Sequence, residues 1–381
     1  MEKIFVVGAG LSGATIARLF AESGYDVTVI DRRTTIGGAA YDCVDKNGIM
    51  IQPYGPHIFH TDEKRVFEFL SRFTEWYEYK HKVLAYIKGK IVSLPINLSS
   101  LYTLFPKTKA QRIEKALKEN FGDGAAVPIL ELKKNTDPVL KDFAEFVYKN
   151  VYYTYTKKQW GLKPEELSVE VMTRVPVCVS ENACYFGDKY QFMPKNGFTE
   201  MVTNILKHPN IKLKLKTDAE KHLYFKDGKI YFDGKELEGK VIYTGRAEEI
   251  FGYKFGALPY RTLRFKFKTY NRPSYQDAAV VNYTANKRFT RVTEFTKFTC
   301  EKQAKTVIVK EFARRCGRND VPYYPIPTEK NLKLYAKYFD EAKNYPDLYL
   351  LGRLAEYRHI NIDEAVLSAM KLFDRLSDGD I

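Results

Sequence analysis

The first part of the chain alternates between apolar runs and a glycine-rich turn. Residues 4–7 form an apolar run that predicts a buried strand, and small and apolar positions from residue 11 onward predict a helix. Residues 25–30 predict a second strand, which ends at Asp31. The expected order is strand, turn, helix, strand, as at the start of a βαβ unit.

The rest of the chain divides into a helical part and a β-rich part. Residues 61–76 have the apolar spacing of a short helix, residues 82–94 alternate as a hairpin does, and residues 98–171 follow a helical pattern. A buried strand at 348–351 and an amphipathic helix at 362–376 come last. Short strands, which suggest an antiparallel sheet, are predicted between these parts at residues 190–193, 223–232, 241–244, 263–267, 279–283, 291–295 and 306–312.

The glycine turn has the residues that a dinucleotide-binding site requires. Gly8 permits a tight turn, Gly10 lets the backbone approach a pyrophosphate, and Gly13 lets the helix pack closely on the strand. Asp31 stands where a carboxylate would bind a ribose hydroxyl group. Because the flanking strand, helix and acid are all present, we interpret the turn as a dinucleotide site rather than a chance glycine turn.

A second glycine pair follows Asp31 closely. The segment from Arg32 to Ala40 contains Gly37 and Gly38, which would bring the backbone near the same cofactor. A glycine pair at this place is more typical of flavoproteins than of nicotinamide dehydrogenases, and an ordinary loop is the alternative interpretation.

The composition indicates a large chain that is rich in aromatic side chains. The 381 residues favour two or three domains, and the 28 tyrosines suit the lining of a polar pocket. The formal net charge of +14 arises from dispersed basic residues. We interpret it first as a solvated basic surface and second as a field that attracts an anionic substrate. No recognised nucleic-acid-binding motif is visible, so a nucleic-acid partner is not expected.

Cysteine spacing and hydropathy narrow the class of protein further. The five cysteines lack the CxxC spacing of a metal site or redox pair, so reduced thiols are expected. No apolar run approaches the ~18 residues of a membrane span, and we expect no signal peptide. These features predict a soluble, cytoplasmic protein without a membrane span.

Two histidines flank a turn in the segment from Tyr54 to Thr61. His57 and His60 would need further ligands to hold a metal ion, and no HExxH spacing occurs among the six histidines, so no metal is expected. The preferred hypothesis places this turn, with Ile58 between the histidines, beside a flavin ring.

A series of further motifs follows in a fixed order. They are YTYTKKQWG at 153–161, MTRVP at 172–176, FTRVTE at 289–294, PYYP at 322–325 and GRLAEY at 352–357. Together with the two glycine segments and the histidine turn, they resemble the UDP-galactopyranose mutase family over nearly the whole chain. The resemblance implies a mixed α/β (α+β) fold with a Rossmann-like FAD-binding domain, an inserted helical domain and an antiparallel β-sheet domain.

Domain boundaries follow from the resemblance and the patterning together. The predicted FAD-binding domain is discontinuous and comprises residues 1–83, 192–255 and 343–381. The predicted helical domain comprises residues 98–172. The predicted β-sheet domain comprises residues 84–97, 173–191 and 256–342.

The resemblance implies a flavin-dependent isomerase that interconverts UDP-galactopyranose and UDP-galactofuranose without net oxidation. In this chemistry N5 of reduced FAD attacks the anomeric carbon, UDP leaves, and a flavin–sugar adduct allows the sugar ring to open and reclose. A UDP-sugar substrate, an external reductant such as NAD(P)H and a homodimeric assembly are the corresponding expectations.

The resemblance also assigns roles to individual residues. Catalytic roles fall to Arg174, Arg291 and His60, with both arginines holding the diphosphate. Residues 164–177, around Arg174, predict a lid that excludes water. The implied cofactor residues are Gly8, Gly10, Ser12, Gly13, Asp31, Arg32, Gly38, Ala39, His57, Ile58, Gly352, Arg353, Asn361 and Ile362. The implied substrate residues are His81, Tyr155, Thr156, Trp160, Tyr185, Asn282, Tyr324 and His359.

Three positions depart from the family pattern. His359 and Asn361 stand where tyrosine and aspartate are usual, and Val151 stands where a larger aromatic side chain is common. These changes leave open a related substrate, such as UDP-N-acetylgalactopyranose or a 6-deoxy sugar nucleotide. An FAD-dependent amine oxidase or desaturase and a nucleotide-binding protein without turnover are the alternative functions.

Overall fold

The computed structural model describes residues 2–166, 175–285, 287–299 and 302–377, and helices occur along this whole length. The α-helices are α1 (Leu11–Glu22), α2 (Lys64–Ser71), α3 (Leu98–Leu104), α4 (Lys107–Phe121), α5 (Ile129–Leu132), α6 (Pro138–Val147), α7 (Thr154–Trp160), α8 (Phe198–Leu206), α9 (Ala219–His222), α10 (Ala247–Ile250), α11 (Glu329–Ala342) and α12 (Ile362–Ser377). A π-helical segment, Tyr148–Tyr153, joins α6 to α7.

The strands belong mainly to two larger sheets, one parallel and one mostly antiparallel. In chain order they are β1 (Lys3–Val7), β2 (Asp26–Ile30), β3 (Cys43–Val44), β4 (Met50–Ile51), β5 (Phe59–Thr61), β6 (Trp76–Glu78), β7 (Val83–Ile87), β8 (Lys90–Leu94), β9 (Ala126–Val127), β10 (Val177–Cys178), β11 (Tyr190–Pro194), β12 (Ile211–Lys214), β13 (Leu223–Lys226), β14 (Lys229–Phe232), β15 (Lys235–Glu236), β16 (Lys240–Tyr243), β17 (Tyr260–Tyr270), β18 (Val280–Tyr283), β19 (Arg291–Glu294), β20 (Thr306–Arg315), β21 (Tyr324–Pro325) and β22 (Leu348–Leu350).

The predicted Rossmann-like unit is a parallel sheet with the strand order β12–β2–β1–β16–β22. One face of β1 presents Ile4 and Val6 to a core that includes α1 and α12. The other face presents Phe5 and Val7 to a second core, which the β13–β14 hairpin covers. Because both faces of β1 are buried, its sequence is a continuous apolar run rather than an alternating one.

The second large sheet has the strand order β21–β17–β20–β19–β18–β7–β8. The predicted hairpin at residues 82–94 is confirmed as β7 and β8. All neighbouring strands are antiparallel except β18 and β7, which pair in parallel. The sequence pattern did not indicate this parallel pair, since alternation shows which face a residue occupies but not which strand lies beside it.

The helical pattern that begins at residue 98 is confirmed as the group α3 to α7. These helices share a core in which Leu101, Ile113, Leu117, Leu140 and Phe143 are fully buried. The domain boundaries given above remain predictions. Among the described residues, no helix has both the length and the apolar character that crossing a bilayer requires.

Asp42 connects the loop after Gly38 to the start of α8. Its carboxylate accepts hydrogen bonds from the backbone N–H groups of Phe198 (2.6 Å) and Thr199 (2.9 Å). The position before this helix requires Gly197, because a Cβ atom there would lie 2.7 Å from a carboxylate oxygen of Asp42. Asp42 therefore satisfies the first N–H groups of a helix that is distant in sequence and anchors its own loop to that helix.

We expect Asp42→Ala to lower the free energy of unfolding by about 1–2 kcal/mol, because two helix N–H groups lose their acceptor. Denaturant titration followed by circular dichroism measures this change. The matched control is Asp340→Ala, since Asp340 pairs with Lys343 on an exposed surface. The control should change the unfolding free energy by less than about 0.5 kcal/mol, and equal losses in both variants would contradict the capping role.

Candidate active site

A cavity of about 230 Å³ opens at the carboxyl ends of β1 and β2, where ligands bind in open α/β sheets. We call it the dinucleotide cavity. Of the residues predicted to bind a cofactor, its lining contains Gly8, Gly10, Ser12, Gly13, Asp31, Arg32, Gly38, Ala39, His57, Gly352, Arg353, Asn361 and Ile362. The structure therefore brings these dispersed positions together, and their roles as ligands remain predictions.

Glycines in the wall of the dinucleotide cavity lie so close to neighbouring backbone that a side chain there would collide with it. At Gly13 a Cβ atom would overlap the carbonyl oxygen of Gly8, so glycine is needed for α1 to lie this close to β1. A Cβ atom on Gly38 would lie 3.0 Å from the Cα atom of Gly10. The N-terminus of α1 has no side-chain cap at Gly10, which leaves backbone N–H groups for an anionic group. These features fit a bound pyrophosphate.

Asp31 ends β2 with its carboxylate fixed by backbone groups. Oδ2 accepts a hydrogen bond from the Ala9 N–H group and Oδ1 accepts one from the Arg33 N–H group, both at 2.8 Å. A carboxylate oxygen accepts more than one hydrogen bond, so Asp31 keeps acceptor capacity for a ribose hydroxyl group.

Glu249 is a residue of this cavity that the sequence analysis missed. Its Oε2 atom lies 2.7 Å from Nη2 of Arg32, and its side chain is buried. Burial acts to lower the pKa of Arg32, but the Glu249 carboxylate raises that pKa above its ordinary value. Arg32 is thus held by a protein carboxylate. The available signal was the position of Glu249, shortly after β16 at the carboxyl edge of the sheet.

A larger cavity of about 480 Å³ adjoins the first, and we call it the central cavity. The two cavities share Tyr54, His57, Tyr323, Arg353, Asn361 and Ile362. The predicted residues that line the central cavity are Ile58, His60, His81, Tyr155, Thr156, Trp160, Tyr185, Asn282, Arg291, Tyr324 and His359. Arg174 lies outside the described residues.

Arg291 lies in a polar row that crosses three strands of the mostly antiparallel sheet. Asn282 on β18 is in register with Arg291 on β19, which is in register with Glu311 on β20. The Arg291 Nε atom donates a hydrogen bond of 2.6 Å to Oε1 of the fully buried Glu311. Although burial acts to lower the pKa of Arg291, the Glu311 carboxylate raises it above the ordinary value. Arg291 is therefore a permanent cation in the cavity wall.

Glu311 was not among the predicted site residues, although the sequence contains a signal for it. On β20, residues 307, 309 and 311 point to one face, and the first two are the buried valines Val307 and Val309. A glutamate at the third of these apolar positions needs a cationic partner, because burying an isolated carboxylate is very costly. The alternating pattern therefore indicated that Glu311 is buried in an ion pair, but it did not show that Arg291 is the cation of that pair.

Three buried side chains around the central cavity, His57, His81 and Tyr155, are neutral at physiological pH. Burial, followed by the charge of Arg353, lowers the pKa of His57 to about 4. Burial, followed by the charge of Arg291, lowers the pKa of His81 to about 3. Burial also raises the pKa of Tyr155, so its phenol stays protonated as a hydrogen-bond donor.

Three rings from distant segments form an aromatic wall of the central cavity. The Tyr324 ring centroid lies 5.1 Å from that of His359 and 5.7 Å from that of Trp160. The His359 and Trp160 centroids are 5.7 Å apart in an edge-to-face arrangement. Val151, another position that departs from the family pattern, also lines this cavity.

The charge distribution of the central cavity favours an anionic ligand. Its lining includes Arg291 and Arg353 and, among the described residues, no aspartate or glutamate. The described residues also contain no group of three or more His, Cys, Asp or Glu side chains arranged to hold a metal ion. Cationic and neutral donors in one cavity are suited to a phosphate-containing molecule.

Comparison with known proteins identifies the family. The family model for UDP-galactopyranose mutase matches residues 150–359, and this range is more than half of the chain. The chain belongs to the UDP-galactopyranose mutase family. Residues 6–73 also match the model of an NAD(P)-binding Rossmann-like domain, in agreement with the predicted dinucleotide turn.

Curated relatives are similar to this member of the UDP-galactopyranose mutase family over almost their full length. A protein of Klebsiella pneumoniae named "Probable UDP-galactopyranose mutase" is 36% identical, over 98% of this chain and 94% of its own. The dTDP-fucopyranose mutase of Escherichia coli is 35% identical over 97% of both chains. The UDP-galactopyranose mutase of Mycoplasma genitalium is 34% identical over 98% of this chain and 94% of its own.

Solved structures support the fold. A crystal structure of reduced UDP-galactopyranose mutase superposes with a TM-score of 0.76 and 15% identity, covering 99% of this chain and 96% of that one. A putrescine oxidase bound to putrescine superposes with a TM-score of 0.60 and 12% identity, covering 99% of both chains. The mixed α/β fold is thus shared by a mutase and an oxidase, and the fold alone does not distinguish their reactions.

We expect His81→Asn to flatten the acid dependence of stability. Burial lowers the pKa of His81 in the folded protein from its ordinary value of 6.5 to about 3, so the neutral side chain favours the folded state. The contribution of His81 to the free energy of unfolding is therefore fully present above pH 6.5. It decreases by about 3 kcal/mol as the pH falls from 6.5 towards 4. Denaturant titrations between these pH values measure the effect.

The control for this experiment is His208→Asn, which changes a half-buried histidine that lines neither cavity. It should leave the acid-dependent loss in place. An unchanged pH profile in His81→Asn would contradict the assignment of His81 as a neutral, buried histidine.

Proposed function

We propose that this protein is a flavin-dependent, non-redox mutase that interconverts UDP-galactopyranose and UDP-galactofuranose. One observation carries the proposal: a central cavity with two arginines and, among its described lining residues, no carboxylate adjoins a dinucleotide cavity. A UDP-sugar in the central cavity would have its diphosphate against Arg291 and its sugar at the junction with the cofactor. The names of the Klebsiella and Mycoplasma relatives support this substrate.

FAD fits the residues of the dinucleotide cavity. The open N-terminus of α1 and the bare backbone at Gly10 suit its pyrophosphate, and Asp31 suits a ribose hydroxyl group. Arg353 and His57, which line both cavities, would lie beside the isoalloxazine ring. When bound and reduced, the flavin supplies a nucleophile for the anomeric carbon of the sugar.

Arg291 would hold the departing diphosphate. Glu311 engages Nε, so the terminal nitrogens are the donors that can bind a phosphate group and the neighbouring Tyr324. Each charge-assisted hydrogen bond of this kind contributes about 1.5–3 kcal/mol. In the same proposal Arg174, which lies outside the described residues, is the second arginine on the diphosphate and part of a lid.

Neutral donors around Arg291 would orient the nucleotide without neutralising the cation. Tyr155 and Tyr324 keep their phenolic protons, since burial raises the pKa of each. His81 stays uncharged and so does not compete with Arg291 for the diphosphate. Retention of UDP near the sugar would then allow it to return to the same anomeric carbon, as an isomerisation without net release of UDP requires.

A second candidate is the mutase reaction on dTDP-fucopyranose, which the name of the Escherichia coli relative favours. His359 in the aromatic wall and Asn361 at the junction are the positions at which such a preference would arise. UDP-N-acetylgalactopyranose is the remaining sugar nucleotide of this proposal. A homodimer and an external reductant such as NAD(P)H are further parts of it.

The decisive experiment uses the purified, FAD-loaded protein. Dithionite-reduced protein is mixed with UDP-galactofuranose, and the products are separated by liquid chromatography. The proposal expects UDP-galactopyranose, no net flavin oxidation, and little turnover by the oxidised protein. Consumption of oxygen in proportion to product would indicate an oxidase instead. The furanose forms of dTDP-fucose and UDP-N-acetylgalactosamine in parallel reactions identify the preferred sugar nucleotide.

We expect Arg291→Ala to reduce turnover by about a thousandfold, since the diphosphate loses a charged donor during its departure. The FAD content should stay at the wild-type level, because Arg291 is absent from the lining of the dinucleotide cavity. Arg288→Ala is the matched control, as Arg288 is exposed in the neighbouring loop. Wild-type turnover in Arg291→Ala would remove Arg291 from the proposed mechanism.

A further inference from the structure

The C-terminal end of α7, the helix that carries Tyr155, Thr156 and Trp160, is bound by a buried arginine of the sheet. Arg261 on β17 is 8% exposed, and it donates from Nε to the carbonyl oxygen of Gln159 at 2.8 Å. It also donates from Nη2 to the carbonyl oxygen of residue 158 at 3.2 Å. The chain leaves the helix at residue 161, where a Cβ atom would lie 2.9 Å from Nη1 of Arg261.

Lys158 connects the same end of α7 to a second part of the sheet. Its Nζ atom donates hydrogen bonds to the carbonyl oxygens of Lys287 (3.3 Å) and Phe289 (3.2 Å), and to that of Tyr283. The Tyr283 carbonyl group ends β18, and those of Lys287 and Phe289 lie in the connection from β18 to β19. Burial lowers the pKa of Lys158 to about 8, so the ammonium group remains mostly charged at neutral pH.

The partners of both cations are backbone carbonyl groups rather than acids. Neither Arg261 nor Lys158 has a carboxylate within ion-pair distance among the described residues. The last carbonyl groups of a helix carry its negative end, so a guanidinium at this place satisfies them and stabilises the helix terminus. The strength of these contacts therefore depends on the position of α7 relative to the sheet.

The two cations join α7 to the strands that carry the other site residues. Arg261 is in register with Tyr324 on β21, one of the three rings of the aromatic wall. The connection held by Lys158 leads directly into β19, which begins with Arg291, and follows β18, which carries Asn282. Displacement of α7 would thus change the distances of Tyr155 and Trp160 from Arg291.

We propose that Arg261 and Lys158 are positioning residues for nucleotide binding. They set the position of α7 on the sheet, so that Tyr155 and Trp160 face Arg291 at the separation that a nucleotide diphosphate requires. This inference rests on the proposed function for the identity of the ligand. A purely structural role would instead lower the stability of the protein and leave the nucleotide affinity of the folded molecules unchanged.

The test combines two variants with two controls in a Trp76→Phe background. The chain contains two tryptophans, so this background makes Trp160 the sole reporter of α7. The variants are Arg261→Gln and Lys158→Met. The controls are Arg264→Gln, an exposed arginine on the same strand, and Lys157→Met, the exposed neighbour on the same helix.

Both variants should shift the Trp160 emission to longer wavelength and raise the dissociation constant of UDP, measured by titration of the oxidised protein. We expect about a tenfold increase, as for the loss of one charge-assisted hydrogen bond. An additional rescue variant, Arg261→Lys, keeps the charge but not the planar fork and should recover part of the affinity. Flavin content and both controls should match the background protein.

Wild-type UDP affinity and unchanged Trp160 emission in folded Arg261→Lys, Arg261→Gln and Lys158→Met would overturn the inference, even with a lowered melting temperature. The proposed function fails in a different way. If the unmodified protein binds no UDP or turns over no sugar nucleotide, the ligand assignment is wrong, whereas the Trp160 emission of the variants still reports whether the two cations position α7.

Discussion

The site depends on the requirement that a cation in a buried wall be balanced by an acid. Arg291 faces the central cavity, and Glu311 on the next strand compensates its charge from within the sheet. Removing either partner of such a pair is costly, because the remaining charge loses its compensation in a poorly hydrated place. The register of β19 against β20 is therefore fixed by chemistry as well as by hydrogen bonding.

The same arrangement recurs in the dinucleotide cavity. Arg32 is held by the buried Glu249, as Arg291 is held by Glu311. In each pair the arginine is the more exposed partner and the acid is the buried one. An acid behind the cation keeps the guanidinium charged and oriented. The dinucleotide cavity keeps the carboxylates of Asp31 and Glu249 in its lining, whereas the lining of the central cavity contains no aspartate or glutamate among the described residues. This distribution explains how a cavity can attract a diphosphate without a net buried charge in the protein.

Local features of the site could be predicted from the sequence, and pairings between distant segments could not. The turn at Gly8 to Gly13 and Asp31 follow from a contiguous motif whose physical demands are known. Glu311 and Glu249 act through partners far away in the chain, and alternation does not show which strands are neighbours. The cap that Asp42 provides for α8 was missed for the same reason. The accepting carboxylate lies in the loop after Gly38, whereas the donating N–H groups of Phe198 and Thr199 lie at the start of α8.

The positions that depart from the family pattern lie where the sugar, rather than the cofactor's nucleotide part, would be recognised. His359 keeps an aromatic ring in the wall with Trp160 and Tyr324, so the packing is preserved while a phenol is absent. Asn361 lines both cavities and begins α12 through its backbone N–H group, which donates to Glu364 at 2.8 Å. An amide at this place carries no charge and both donates and accepts hydrogen bonds, unlike a carboxylate. In the proposed function such changes would alter which sugar hydroxyl groups are bound, whereas Arg291 and Arg353 would remain available to a diphosphate.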